Sequence, residues 1–361
     1  MRNLLRHHSF SVLLFLVFLV FLVFLVFVGI VFSYADDEFE LFELSGFTMG
    51  TSYNVQLVEI PVDMSQEQIA LQVSEILEEL DKGIFSTYTA ASELSRLNRY
   101  EVNLPFTASR EMIEVLSEAQ DVGQLSNGAF DVTVGPLVNL WGFGPSISGD
   151  FDAVPEQDAL DEALRKVGYQ HIKIDKVNLE IVKLSEISID LSGIAKGYAV
   201  DELAVYFDGV GVDNYFLEIG GELKIKGYKP GRISWVPAIE APHDTEAQVY
   251  EVFYTKGESI AVAGSGDYRN YFEEGGVRYS HEIDPRTGRP ISHTLAAAYV
   301  IDESAARADA LATAFMILGL EKSIELATRE NQAAYFIFDD GDNGFSASIT
   351  AEFNHFLEAP R

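Results

Sequence analysis

The chain has 361 residues, enough for one large or two modest domains, and carries 56 acidic against 25 basic residues for a net charge of -31. Such a surface repels nucleic acid, whose phosphates need Lys and Arg partners, and it does not dock on anionic lipid through charge. With no cysteine there is no disulfide, iron–sulfur cluster, thiolate zinc site, cysteine nucleophile or lipidated N-terminal cysteine, and seven scattered histidines without an HExxH pair argue against a histidine-rich metal site.

Arg2 and Arg6 precede an almost unbroken apolar run from Val12 to Phe32, and Ser33-Tyr34-Ala35 then offers small residues at cleavage spacing. This reads as an export signal. The run is longer than an ordinary signal core of ~7–15 residues and near the ~20 that span a bilayer, so an uncleaved anchor is equally open. Either way the positive charges favour an N-terminus inside and a body outside. Residues 1–35 are therefore expected to be a signal peptide or membrane anchor, and 36–361 a single exported domain.

Phe47 to Ile60 reads as a strand pair turning at Met49-Gly50-Thr51. Ser65–Ile84 has apolar residues at helical spacing, and Thr107–Leu125 is a second helix with Thr107 and Glu111 near a capping position. Ala129–Gly144 looks irregular, Ala153–Val167 helical, and His171–Leu184 alternates as a hairpin. A strand at Ile187–Leu191 feeds a helix Ala195–Phe207. Tyr215–Ile225 is a strand broken by Gly220-Gly221, and strands follow near Ser234–Ile239, Val249–Tyr254 and Ser259–Ala263. A loop-rich stretch runs to Ser292. The strand Ala296–Ile301, helices Ser304–Leu318 and Glu321–Asn331, and strands near Ala334–Phe338 and Phe345–Phe353 complete the chain. Strands separated by turns, with helices grouped, predict an α+β fold with mixed or antiparallel sheets.

Four stretches carry candidate chemistry. Asp309 and Thr313 lie four apart on a helix, so both project from one face among alanines. A carboxylate and a hydroxyl suit a hard cation such as Mg2+ or Ca2+, although such a threonine also bonds back to its own helix. Asp190-Leu191-Ser192-Gly193 turns into the helix that holds Lys196. Free N–H groups there suit an anion and the Gly193 carbonyl a cation; a plain turn capped by Ser192 is the alternative. Gly264-Ser265-Gly266 is expected to be a loop that lets backbone approach a ligand, and His281 is a candidate general acid or base or a structural residue. Gly128–Gly144 combines aromatics and glycines that stack a planar ring or simply pack a core. No P-loop, Rossmann glycine fingerprint or G-x-S-x-G elbow occurs.

The order of these motifs is more telling than any one of them. Thr48-Met49-Gly50-Thr51, Ser86-Thr87-Tyr88, Phe130-Asp131-Val132-Thr133, Asp190-Leu191-Ser192-Gly193-Ile194-Ala195-Lys196-Gly197, Gly220-Gly221-Glu222, Ser265-Gly266-Asp267-Tyr268, His281-Glu282-Ile283-Asp284-Pro285-Arg286-Thr287-Gly288 and Ala308-Asp309-Ala310-Leu311-Ala312-Thr313 follow one another along the chain. The series resembles the ApbE family of FAD:protein FMN transferases over nearly all of the chain after the leader. The resemblance implies a Mg2+-dependent split of FAD, with FMN passed to a threonine hydroxyl of an exported or membrane redox subunit and AMP released. It implies a metal site of Asp309 and Thr313 with backbone oxygens of Gly193 and Ala312. It implies FAD contacts at Met49, Tyr88, Ala129, Phe130, Asp131, Asp190, Lys196 and Ile283, with His281 as the base. Two other readings use the same site: an FAD pyrophosphatase giving AMP and FMN, and a flavin carrier without catalysis.

Overall fold

The computed structural model describes residues 41–144, 154–242, 248–267, 271–274 and 277–360. The expected leader, residues 1–35, lies outside them, and among the described residues no helix is long and apolar enough to cross a membrane.

Eight strands form one antiparallel sheet whose spatial order is the chain order: β1 (Leu41–Thr48), β2 (Thr51–Val58), β3 (Tyr215–Ile219), β4 (Glu222–Lys226), β5 (Ile260–Gly266), β6 (Leu295–Asp302), β7 (Ala333–Asp339) and β8 (Phe345–Ile349). Both faces are covered, which explains the unbroken apolar runs of the central strands. Ala261 and Ala263 of β5 face one core, and Ile260 and Val262 face the other. The hairpin β1–β2 closes through Met49 and Gly50 at φ 48° and 76°, the primed geometry that suits right-twisted strands.

The larger core holds α1 (Gln66–Glu78), α2 (Glu93–Arg99), α3 (Arg110–Leu125), α6 (Ala195–Gly209) and α7 (Ala305–Leu318); α7 lies on β5 and β6 and against α3 and α6. The short helices α4 (Gly135–Leu140) and α5 (Gln157–Leu164) build a small separate core of Leu137, Trp141, Leu160, Ala163 and Ile283. Helix α8 (Leu320–Glu330) follows α7, and α9 (Ala351–Leu357) backs the second core through Phe353 and Phe356. This is the predicted α+β class.

Several local expectations are corrected. Ile187–Leu191 forms no strand: the side-chain amide of Asn98 takes both backbone groups of Ile189 (2.8 and 2.7 Å), and the Asp190 N–H donates to the Val132 carbonyl. Apart from one isolated parallel bridge between Ser188 and Val134, side-chain and loop partners satisfy this β-like run without a ladder. Ser109, not Thr107, caps α3, because Thr107 is spent in a short strand, Pro105–Thr107. The stretch expected to be irregular contains α4, and β8 stops at Ile349, where α9 replaces the rest of the expected strand. Gly264-Ser265-Gly266 is the end of β5 rather than a loop, while the stretch after it carries short hairpins. Beyond Glu78 the first helix continues as a π-helical segment, Glu79–Phe85.

Candidate active site

Two helices distant in sequence cap one another. The Asp309 carboxylate of α7 accepts the N–H of Gly197 in the first turn of α6 (3.2 Å). The Asp201 carboxylate of α6 accepts the N–H of Ala306 and the hydroxyl of Ser304 at the start of α7 (both 3.0 Å). Each acid neutralises the positive end of its neighbour's dipole and fixes the pair in register. The contact needs Gly197, because a Cβ there would lie 2.2 Å from the Ala305 carbonyl oxygen. Gly193 is equally confined: a Cβ on it would come 3.1 Å from Thr313 Oγ1 and 3.2 Å from the Phe130 ring. The turn before α6 is thus seated on the Asp309–Thr313 face of α7. Thr313 Oγ1 also lies 3.3 Å from Ser265 Oγ at the end of β5.

Lys196 sits at the centre. Its ammonium is 3.2 Å from Glu222 Oε1, 3.8 Å from Asp309 Oδ2 and 3.3 Å from the Ser192 carbonyl. Burial works against its charge, but Asp309 and Glu222 outweigh that and push its pKa up. Asp309, Glu222 and Glu282 are each less than a tenth exposed. Burial pushes Asp309 above the usual carboxylate range and Glu222 up to about 8, against the pull of Lys196. Burial, with the charges of Asp267 and Asp309, pushes Glu282 up to about 8. Three desolvated acids therefore face one ammonium, and Glu222 Oε2 is buried without a hydrogen-bond partner.

These groups line a cavity of about 430 Å3. It gathers ten of the expected residues: Ala129, Phe130, Asp131, Asp190, Gly193, Lys196, His281, Ile283, Asp309 and Thr313. Three others do not line it. Met49 is in the β1–β2 turn, held by its N–H to the Asp81 carboxylate (3.1 Å); Tyr88 is 78% exposed; Ala312 is fully buried and can offer only backbone. Asp131 lines the wall, but its carboxylate is occupied by the Thr133 N–H and hydroxyl and the Tyr169 N–H (2.8, 2.6 and 2.8 Å). His281 has its ring 6.3 Å from Phe143 and its Nε2 3.9 Å from Glu282 Oε1. Of the N–H groups expected to meet an anion at α6, those of Ile194 and Ala195 bond the Leu191 carbonyl and that of Gly197 bonds Asp309, so these three are already used. Ser192 does not cap the helix; its N–H and hydroxyl both turn back to Asp190.

Glu222 and Glu282 are site residues that sequence reasoning left off its list. Both lie inside motifs it quoted, but nothing in a hairpin's first residue or in His281-Glu282-Ile283 signals a buried acid.

Among the described residues no three His, Cys, Asp or Glu side chains converge as a metal cluster. The donors on offer are a carboxylate, hydroxyls and backbone carbonyls, all hard oxygen, in a cavity lined by three buried acids. That set fits a hard divalent cation.

The ApbE family model matches residues 49–337. An FAD:protein FMN transferase of Vibrio cholerae is 41% identical over 318 residues, 88% of this chain and 93% of that protein. One from Escherichia coli K12 is 37% identical over 324 residues, 88% of this chain and 90% of that protein. Among solved structures, a flavin transferase ApbE from Vibrio cholerae superposes with a TM-score of 0.79 at 39% identity, covering 88% of this chain and 99% of that one. The apo form of the Pseudomonas stutzeri flavinyl transferase ApbE gives a TM-score of 0.80 at 38% identity, covering 89% and 98%. With this extent of match and the motif turn of α6 seated on α7, the chain belongs to the ApbE family.

Proposed function

We propose that this protein transfers FMN from FAD to a threonine hydroxyl of a target protein, releasing AMP, with Mg2+ held at Asp309 and Thr313 and the backbone oxygens of Gly193 and Ala312. The observation that carries this reading is the seating of Gly193 and Lys196 against Asp309 and Thr313 in one cavity. Family membership and the FAD:protein FMN transferases among its relatives support the reaction class.

In the reaction, the acceptor oxygen forms a bond to the FMN phosphorus of FAD, the bond from that phosphorus to the bridging oxygen breaks, and AMP leaves with the bridging oxygen. Mg2+, when bound, offsets charge on the pyrophosphate as that bond breaks. Lys196 brings a second positive charge to the same wall. His281 takes the proton of the attacking hydroxyl. Ala129, Phe130, Asp131 and Ile283 hold the flavin half, with Asp190, Met49 and Tyr88 completing its contacts; the Asp131 carboxylate, already committed to Thr133 and Tyr169, keeps that wall in shape. Placement of the acceptor hydroxyl against the phosphorus decides transfer over hydrolysis by water. The leader supports an exported body at the periplasmic face, secreted or anchored in the inner membrane, with redox subunits as acceptors.

Purified body incubated with FAD, Mg2+ and a candidate acceptor tests this. Flavin fluorescence on the acceptor band of a denaturing gel, with AMP released, is the expected result. AMP and free FMN without a labelled band would make the protein a pyrophosphatase, and unchanged bound FAD a carrier. Asp309→Ala should abolish turnover; full activity of that variant in chelator would remove the cation from the account.

A further inference from the structure

We infer that Glu222 is a positioning residue that draws the Lys196 ammonium off Asp309, keeping that carboxylate available to a divalent cation. The inference rests on the cation reading above. Glu222 is the first residue of β4, directly after the Gly220-Gly221 turn, and pairs across the hairpin with Ile219, so a rigid ladder fixes its place. It is 3% exposed, and one of its oxygens has no partner. A buried carboxylate half satisfied is costly to maintain. What it does make is the shorter of the two carboxylate contacts to Lys196, 3.2 Å against 3.8 Å for Asp309.

A lysine ammonium is a point charge on a flexible stem and goes where the nearest anion is. Without the Glu222 carboxylate, Asp309 is the one carboxylate among the described residues that remains within 4 Å of Nζ. In a desolvated site the ammonium then closes onto Asp309 as a direct ion pair. A lysine clamped there competes with Mg2+ for the same oxygens. Glu222 so placed sets the balance between a lysine that serves the phosphates and one that neutralises the metal ligand.

The test is Mn2+ binding, followed by the free-ion electron paramagnetic resonance signal at saturating FAD, in the wild type, Glu222→Gln, Lys196→Met and the double variant. Glu222→Gln is expected to weaken Mn2+ by about 10–100-fold, the usual cost of losing a residue that supports a metal ligand. Its turnover should be recovered by raising Mg2+. In the double variant, with no ammonium left to compete, Mn2+ affinity should return close to that of Lys196→Met alone. A purely structural role would lower thermal stability and show no rescue by Mg2+ or by loss of Lys196. Unchanged Mn2+ affinity in Glu222→Gln overturns the inference, and so does a double variant as weak as the single, which would make Glu222 a ligand itself. A wild type that binds no Mn2+ with FAD present would instead overturn the cation reading beneath it.

Discussion

Gly197→Ala sets two physical effects against each other. In a helix, alanine is favoured over glycine by at most about 1 kcal/mol. Here the new Cβ would sit 2.2 Å from the Ala305 oxygen, 2.6 Å from its carbonyl carbon and 2.8 Å from the Ala306 nitrogen. All three are backbone atoms of the first turn of α7, so no side chain can swing aside, and α6 and α7 must part by about 1 Å to restore ordinary contact. Overpacking of this kind costs about 1–3 kcal/mol, and rigid neighbours place it in the upper part of that range. The net expectation is a loss of about 1–2 kcal/mol despite the better helix former. The same displacement lengthens the Asp309–Gly197 hydrogen bond and shifts Lys196, and a misplacement near 1 Å costs on the order of 100-fold in rate. Urea unfolding gives the first quantity and FMN transfer to an acceptor the second. An alanine variant as stable and as active as the wild type would refute the claim that close contact of these helices builds the site.

Asn98→Ala strips both backbone groups of Ile189 of their partners in a part-buried segment. At about 1–3 kcal/mol for each orphaned group, a loss of at least 2 kcal/mol is expected in urea unfolding; a loss under 0.5 kcal/mol would show that water replaces the amide without penalty. His281→Ala is expected to slow transfer by about 100–10,000-fold while FAD binding, followed by flavin fluorescence, changes little. Weakened FAD binding with an unchanged rate in the bound complex would assign His281 to the ligand wall instead. Tyr88→Ala leaves stability within about 0.5 kcal/mol, because the ring is exposed, but weakens FAD binding; equal affinity would remove Tyr88 from the flavin contacts.

The sequence carried what local periodicity and motif order encode. The i, i+4 spacing of Asp309 and Thr313 placed them on one face of a helix, and the helix that begins at Ala195 was visible in the sequence; that the alanines around Asp309 serve close helix packing was not. The motif order brought together ten of thirteen expected residues in one cavity. Tertiary context decided the rest. Ile187–Leu191 has strand composition, but whether a ladder forms depends on neighbours, and Asn98 supplied a substitute. Three of the N–H groups expected to be free at α6, those of Ile194, Ala195 and Gly197, are used by Leu191 and by an aspartate 112 residues away from Gly197. Glu222 and Glu282 were missed for a related reason: acids belong by default on the surface, and only the assembled sheet and cavity bury these two.

The proposed reaction depends on a divalent ion bridging α7 and the turn before α6. The direct measurement is a crystal grown with FAD and Mn2+, with anomalous scattering to locate the metal. A peak is expected about 2.0–2.6 Å from the Asp309 carboxylate and the Thr313 hydroxyl, the distances of hard-cation oxygen sites, with the FAD phosphates on its far side. An anomalous peak elsewhere, or FAD bound in the cavity with its pyrophosphate turned away from Asp309, would contradict it.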